Sequence, residues 1–173
     1  MAGLSNTQID RYLESKVSDM QIIPSNSYQG VFTTSGMLKP SIKDDNWVTV
    51  LNMDKINGPG NHWFAMLVYP KAKLVFYYDP LLPNHSYQIP PNLRNFMIKV
   101  QEKGWQVIEN LEIDQEPIHH HPNDMCGAYA AQMIVLMDQN QDEKPVKAFF
   151  EAHKKLMNPG YVSKIFTSID RGF

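Results

Sequence analysis

The single cysteine of this chain stands where its chemistry is favoured. Cys126 is the only cysteine among 173 residues, and it lies where the polar stretch 114–125 meets the run CGAYAAQMIVLMDQ. That run has helical composition and is apolar nearly all round, which predicts a buried central helix that begins at the cysteine. A thiol at a helix N-terminus faces the positive end of the backbone dipole, and this favours the thiolate. We therefore predict a nucleophile at Cys126; the alternative is an inert buried thiol.

A cysteine nucleophile needs a base, and the base needs an orienting acceptor. His62 opens the nearly continuous apolar stretch 62–69, and Asp79 directly follows the apolar stretch 74–78. If these stretches form an antiparallel hairpin, its open ends meet, and Asp79 can accept the second imidazole proton and fix the tautomer. The spacing predicts a catalytic set of His62, Asp79 and Cys126. The alternatives are a histidine hydrogen-bonded at a strand edge and a turn-forming Asp-Pro pair.

A rival interpretation is a metal site in the histidine-rich loop. Its ligands would be His119, His120 and His121 together with Asp124 and Cys126. Consecutive residues on an extended chain point to opposite sides, so three adjacent histidines suit a tetrahedral site poorly. A second cysteine-containing ligand pair is also missing. We therefore predict no metal and no cofactor, and interpret the histidines as a solvated loop.

The remaining pattern predicts the elements that position these residues. Strands are predicted over 47–51, 62–69, 74–78 and 105–113, with 70–73 as the tight connection of the hairpin. A first helix, capped by Ser5 with Gln8, carries an apolar stripe that runs to Met20 and is ended by Pro24. Later helices are predicted from Asn92 as a cap to Gly104, from Cys126, from Pro145 and near the C-terminus.

We expect these elements to form one α+β domain over residues 1–173. A small mixed or antiparallel central sheet packs against the buried central helix that bears the nucleophile, and further helices flank both. Residues 25–43 are rich in Ser, Thr, Gly and Pro and predict irregular chain. Only Val31–Phe32 and Met37–Leu38 are expected to anchor that segment to a core.

Composition and charge limit the partners and the compartment. Apolar residues make up 43% of the chain and charged residues 20%, as in soluble globular proteins. The formal net charge of −2 argues against the bulk positive field of a nucleic-acid-binding protein, although a local patch stays open. The chain has no apolar run near the ~20 residues of a membrane span and no secretory signal pattern. With one cysteine, we expect an intracellular protein in a reducing compartment.

The motifs around these residues resemble a known clan of cysteine proteases. His62-Trp63 on a strand, FYYDP around Asp79 and NDMCGAYAA around Cys126 are similar to the clan of adenovirus protease (adenain) and the ubiquitin-like-protein proteases. The resemblance runs over residues 47–137 and implies the order histidine, acid, glutamine, cysteine. The upstream segment VTVLNMDKINGPGNHW and the short chain resemble the viral maturation enzymes more than the larger deSUMOylating domains.

The resemblance also implies an activity and its partners. It implies a cysteine endopeptidase that cleaves after small or Gly-containing motifs, with Trp63 as a substrate-binding wall of the cleft. The expected partner is a protein: a viral capsid or core precursor, in the host cell or the virion. The alternatives are a ubiquitin or ubiquitin-like deconjugase, including bacterial effectors, and an inactive binding module of the same fold.

The sequence departs from the clan at one position. The clan places a glutamine six or seven residues before the cysteine, where it helps to bind the oxyanion, but here those positions hold His120 and His119. The nearest upstream glutamine is Gln115. Three donors remain open: His120, Gln115 reaching in from a longer loop, and the backbone N–H of Cys126. We predict His120, because an imidazole can donate from either nitrogen.

Overall fold

In the described part of the chain, five strands form one mixed sheet and lie in it side by side in chain order. The computed structural model describes residues 3–42, 45–53, 62–80, 89–110 and 125–172. The three central strands pair antiparallel, while each edge strand runs parallel to its neighbour. The predicted α+β class with a mixed central sheet is confirmed. The strands are β1 (Gln21–Ser27), β2 (Trp47–Asn52), β3 (Trp63–Tyr69), β4 (Leu74–Tyr78) and β5 (Gln106–Glu109).

The predicted hairpin is β3 and β4. Its register pairs Ala65 with Tyr78 at the open end and Tyr69 with Leu74 at the closed end. Residues 70–73 make the turn, in which Lys73 takes a positive φ of 54°. Nearly every residue of both strands is buried, because helices cover both faces of the sheet. The hairpin thus brings the start of β3 and the end of β4 together at one end of the sheet's strands.

The central helix begins at Cys126, as predicted, and lies against the middle of one sheet face. Three other helices pack around it on that face, so almost all of its residues are buried. Stacking of Phe76 on Phe149, with ring centroids 4.7 Å apart, joins this sheet face to the outer helix layer. The helices of this layer are α1 (Asn6–Lys16), α4 (Cys126–Gln139), α5 (Pro145–Leu156) and α6 (Pro159–Asp170).

The other sheet face is covered by α3 (Pro91–Glu102) and by the chain around α2 (Tyr28–Val31). The predicted cap at Asn92 is wrong, since Pro90 holds that position and the Asn92 amide donates to the Phe32 carbonyl, 2.9 Å away. Gly36, at a φ of +90°, lets the α2 segment approach α3 closely. A Cβ there would lie 2.4 Å from the backbone nitrogen of Phe96. These contacts fix the chain that was predicted to be irregular.

The N-terminal prediction is wrong between Val17 and Ser27. Helix α1 has the predicted capping box but ends at Lys16, and β1 occupies part of the stretch predicted as helix and irregular chain. The cause is Asp138 on α4, whose buried carboxylate accepts the backbone N–H groups of Ser18, Asp19 and Met20. Pro24 lies inside β1, where an edge strand with a register shift tolerates the missing N–H.

Three smaller predictions have mixed outcomes. Val31 and Phe32 are buried as predicted, and Leu38 packs partly buried against the same cluster, but the Met37 side chain is 57% exposed. The last strand is only Gln106–Glu109, and positions 111–113 of the predicted strand lie outside the described residues. None of the helices in the described ranges is long and apolar enough to cross a membrane. The extent of the domain, residues 1–173, stays a prediction.

Candidate active site

His62 and Asp79 meet at the open end of the β3–β4 hairpin. His62 directly precedes β3 and Asp79 directly follows β4, so the antiparallel register places them side by side. The Nε2 atom of His62 lies 2.6 Å from Oδ1 of Asp79, and both side chains are fully buried. The sequence prediction that this hairpin joins the two residues is therefore realised in the geometry.

The thiol of Cys126 reaches the same point from the other layer. The backbone N–H of Trp63 donates to Sγ of Cys126 over 3.3 Å, which places the sulfur next to the first residue of β3. The thiol is buried, with 2% of the residue exposed, and it lies close enough to His62 to raise the pKa of that imidazole. Because Nε2 of the imidazole is engaged by Asp79, Nδ1 is the ring nitrogen left to exchange a proton with the sulfur.

The charge state of His62 is set by three opposing influences. Burial is the largest, and alone it would lower the pKa of His62. The hydrogen bond to Asp79, the polar interaction with Cys126 and the charges of both groups outweigh burial and raise the pKa of His62 from 6.5 to about 9. The imidazole is therefore protonated at neutral pH and carries a positive charge beside the sulfur.

Gly127 and Trp63 allow close packing beside the thiol. A Cβ on Gly127 would lie 3.2 Å from Cδ1 of Trp63 and 3.2 Å from Cδ1 of Ile9, tighter than ordinary contact. The indole N–H of Trp63 donates to the carbonyl of Leu4, 3.0 Å away. The Trp63 side chain is only half-buried and adjoins the nucleophile helix, which fits the predicted cleft wall.

The sequence analysis missed one polar residue that lies next to Asp79 at this end of the strands. Asn110 directly follows β5, and its amide forms two hydrogen bonds with the main chain of Asp79. A polar residue at the end of a strand is a weak signal, because nothing local shows which neighbouring strand it meets. Pairing of β5 with β4 had not been predicted, and this pairing brings Asn110 to Asp79.

The predicted oxyanion donor lies outside the described residues. The same is true of Gln115, of His119 to His121 and of Asp124, so His120 stays a prediction. Within the described ranges, the structure contains no group of three or more His, Cys, Asp or Glu side chains placed to hold a metal ion. The start of α4 at Cys126 supplies first-turn N–H groups that have no acceptor within the helix.

Comparisons with known proteins give the fold. No family model matches the chain, and no curated protein matches its sequence. The chain is similar to the Chlamydia trachomatis effector protein Cdu1, solved bound to ubiquitin, with a TM-score of 0.54, 12% identity, and coverage of 98% of this chain and 94% of that one.

Two further solved structures are similar. The protease domain of Ulp1, in complex with Smt3, the yeast ortholog of SUMO, has a TM-score of 0.49 and 17% identity, covering 90% of this chain and 75% of that one. The ASFV pS273R protease has a TM-score of 0.49 and 17% identity, covering 90% and 67%. The similarity to Cdu1 shows a shared fold, and the predicted resemblance is confirmed at the level of the fold alone.

Proposed function

We propose that this protein is a cysteine peptidase that cleaves peptide or isopeptide bonds of protein substrates. The proposal is carried by the convergence of His62, Asp79 and Cys126 at one end of the sheet's strands, although the three residues come from separate parts of the chain. A nucleophile, a base and an orienting acceptor brought together at one point are the minimum set for thiol-dependent acyl transfer. The chain shares its fold with Cdu1, which was solved bound to ubiquitin, and this supports a protein as the substrate.

The first half of the reaction forms an acyl-enzyme. The Cys126 thiolate attacks the substrate carbonyl carbon, a C–S bond forms, and the carbonyl π electrons move to oxygen. The backbone N–H of Cys126 and the predicted donor His120 stabilise that oxyanion. As the C–N bond breaks, protonated His62 gives its proton to the leaving amine, so that the amine departs neutral.

The second half regenerates the thiolate. Neutral His62 takes a proton from water as the water oxygen attacks the thioester carbonyl, and the C–S bond then breaks to release the acid. Asp79 accepts the hydrogen bond from Nε2 throughout, which holds the imidazole in one orientation and stabilises its positive form. Trp63 borders the sulfur and is proposed to contact the substrate chain.

Two substrate assignments follow from different observations. The amino-acid sequence before His62, by its resemblance to adenain, favours maturation of viral capsid or core precursors, cleaved after small or Gly-containing motifs. Similarity of fold to Cdu1, which was solved with ubiquitin bound, favours deconjugation of ubiquitin or a relative. In both cases a protein is the partner, and we propose action in a reducing intracellular compartment, in the host cell or the virion, where the thiol stays available.

Covalent capture tests the activity and separates these substrates. Purified protein is incubated with ubiquitin and SUMO carrying a C-terminal electrophile and with a Gly-ending peptide aldehyde, and intact mass spectrometry reads the adducts. We expect adducts on the wild type and none on Cys126→Ala. Capture by the ubiquitin or SUMO probes supports deconjugation, and capture by the peptide alone supports maturation.

Two outcomes would overturn the proposal. Hydrolysis or adduct formation that survives Cys126→Ala would exclude the thiol mechanism. A wild-type thiol that alkylates with small reagents near neutral pH no faster than the unfolded chain would indicate an inactive module of the same fold.

A further inference from the structure

Asn110 holds the main chain of Asp79 from the side opposite His62. Its Oδ1 accepts the Asp79 N–H over 3.0 Å, and its Nδ2 donates to the Asp79 carbonyl over 2.8 Å. Asn110 is 2% exposed and Asp79 is fully buried, so both hydrogen bonds are shielded from water. One amide side chain thus satisfies the donor and the acceptor of a single neighbouring residue.

The two hydrogen bonds continue the sheet beyond the end of its ladder. The last backbone pair of β4 and β5 is Tyr77 with Glu109, and regular pairing stops there. Pro80 follows Asp79 and has no N–H to donate. Asp79 is therefore at the end of the strand, where main-chain pairing is weakest, and the Asn110 amide replaces the missing ladder.

The topology places three residues in a row at one end of the sheet's strands. The start of β3, the end of β4 and the end of β5 are neighbours, because β3 runs antiparallel to β4 and β5 runs parallel to it. His62, Asp79 and Asn110 follow this order. Asp79 is consequently held on both sides: its side chain bonds the imidazole at 2.6 Å, and its backbone is held by the amide.

We propose that Asn110 is a positioning residue of the catalytic set, which sets the Asp79 carboxylate against His62 by fixing the Asp79 backbone. This inference rests on the proposed peptidase function for its effect on turnover. Asparagine fits the task because it carries a donor and an acceptor on a short side chain. Aspartate lacks the donor, and glutamine places the amide one methylene further away.

The test replaces Asn110 and uses Asn92 as the matched control. Asn92 is another buried asparagine whose amide donates to a backbone carbonyl, that of Phe32, but it belongs to α3, which covers the other sheet face. The variants are Asn110→Ala, Asn110→Asp and Asn92→Ala. Asn110→Asp is nearly isosteric and removes the donor, so it keeps the test valid if the alanine variant fails to fold.

The readouts are kcat and KM on the captured substrate class and the NMR signal of the His62 imidazole. A misplaced orienting group costs up to about 10²-fold in turnover, so we expect kcat to fall by about 10–100-fold in both Asn110 variants, with KM little changed. The hydrogen-bonded imidazole proton of His62 should move or broaden in both. Asn92→Ala should change neither.

The outcomes separate this inference from the proposed function. Folded Asn110 variants with unchanged kcat and an unchanged His62 signal would overturn the positioning role, as would the same changes in Asn92→Ala. If the wild type captures no substrate, the peptidase proposal fails, but the His62 signal in Asn110→Asp still decides whether Asn110 positions the Asp79–His62 pair.

Discussion

Removing the charge of Asp79 should change the protonation of His62 more than any other single substitution in the described part of the site. The substitution is Asp79→Asn, which keeps an oxygen near Nε2 of the imidazole but removes the negative charge. Asp79 raises the pKa of His62 in two ways: through the 2.6 Å hydrogen bond and through its negative charge. In the variant, burial is opposed only by Cys126.

The magnitude follows from the pKa of His62. The rise from 6.5 to about 9 corresponds to about 3 kcal/mol in favour of the imidazolium, already net of burial. Because Asp79 supplies much of this, we expect the pKa of His62 in Asp79→Asn to fall from about 9 to about its ordinary 6.5 or below. At neutral pH the imidazole then changes from protonated to largely neutral.

Two assays check this expectation. The chain has six histidines, so the His62 resonance is assigned by comparison with a His62→Gln variant and then titrated by NMR. Because Cys126 is the only cysteine, the pH dependence of alkylation by iodoacetamide reports on this thiol alone. We expect the upper pH limit of kcat/KM, near 9 in the wild type, to move to lower pH in Asp79→Asn, because the imidazolium that protonates the leaving amine is lost sooner.

The reasoning is refuted if the His62 resonance of folded Asp79→Asn still titrates near pH 9. It is also refuted if the upper limit of the activity profile stays in place while the rate falls. Asp79→Ala serves as the companion variant, since it removes the acceptor as well. A larger loss of turnover in alanine than in asparagine would separate orientation from charge.

Three further predictions concern stability and packing. In Cys126→Ala the pKa of His62 still exceeds its unfolded value of 6.5 because of Asp79, so the unfolding free energy should be highest below pH 6.5 and fall as pH rises through the folded pKa. Urea titrations at several pH values across this window measure the unfolding free energy. An unfolding free energy that rises with pH there would contradict the prediction. Asp138→Ala should lower the free energy of unfolding by about 3–5 kcal/mol, since three backbone N–H groups lose a buried carboxylate. A decrease under about 1 kcal/mol in thermal or urea unfolding would contradict the role of Asp138 in ending α1. Gly127→Ala should cost about 1–3 kcal/mol and raise KM by displacing Trp63; a crystal structure with Trp63 in place and unchanged kinetics would reject this.

The parts of the fold that sequence could predict are those with local determinants. The hairpin of β3 and β4 follows from two apolar runs and a four-residue connection, and its bounds were predicted almost to the residue. The start of the central helix follows from the change in composition at Cys126. Because these two elements carry all three catalytic candidates, the candidate set was also accessible from sequence.

The misplaced elements have distant determinants. The end of α1 depends on Asp138, about 120 positions away along the chain, and nothing in residues 17–27 reveals that carboxylate. Local pattern favours a longer helix there, and the tertiary hydrogen bonds win. Asn110 was missed for the same reason, since its role exists only once β5 lies parallel to β4.

Burial makes the candidate site cooperative. In a buried setting an imidazolium without partners loses its proton, since desolvation is the largest influence on His62 and lowers its pKa. The carboxylate of Asp79 and the sulfur of Cys126 reverse that preference. Removing either Asp79 or Cys126 therefore changes the protonation of His62 as well as its contacts. The shifts in the pKa of His62 caused by Asp79→Asn and by Cys126→Ser should consequently not add in the double variant. Additive shifts in the His62 titration, which does not depend on the thiol reaction, would show that the three groups act separately.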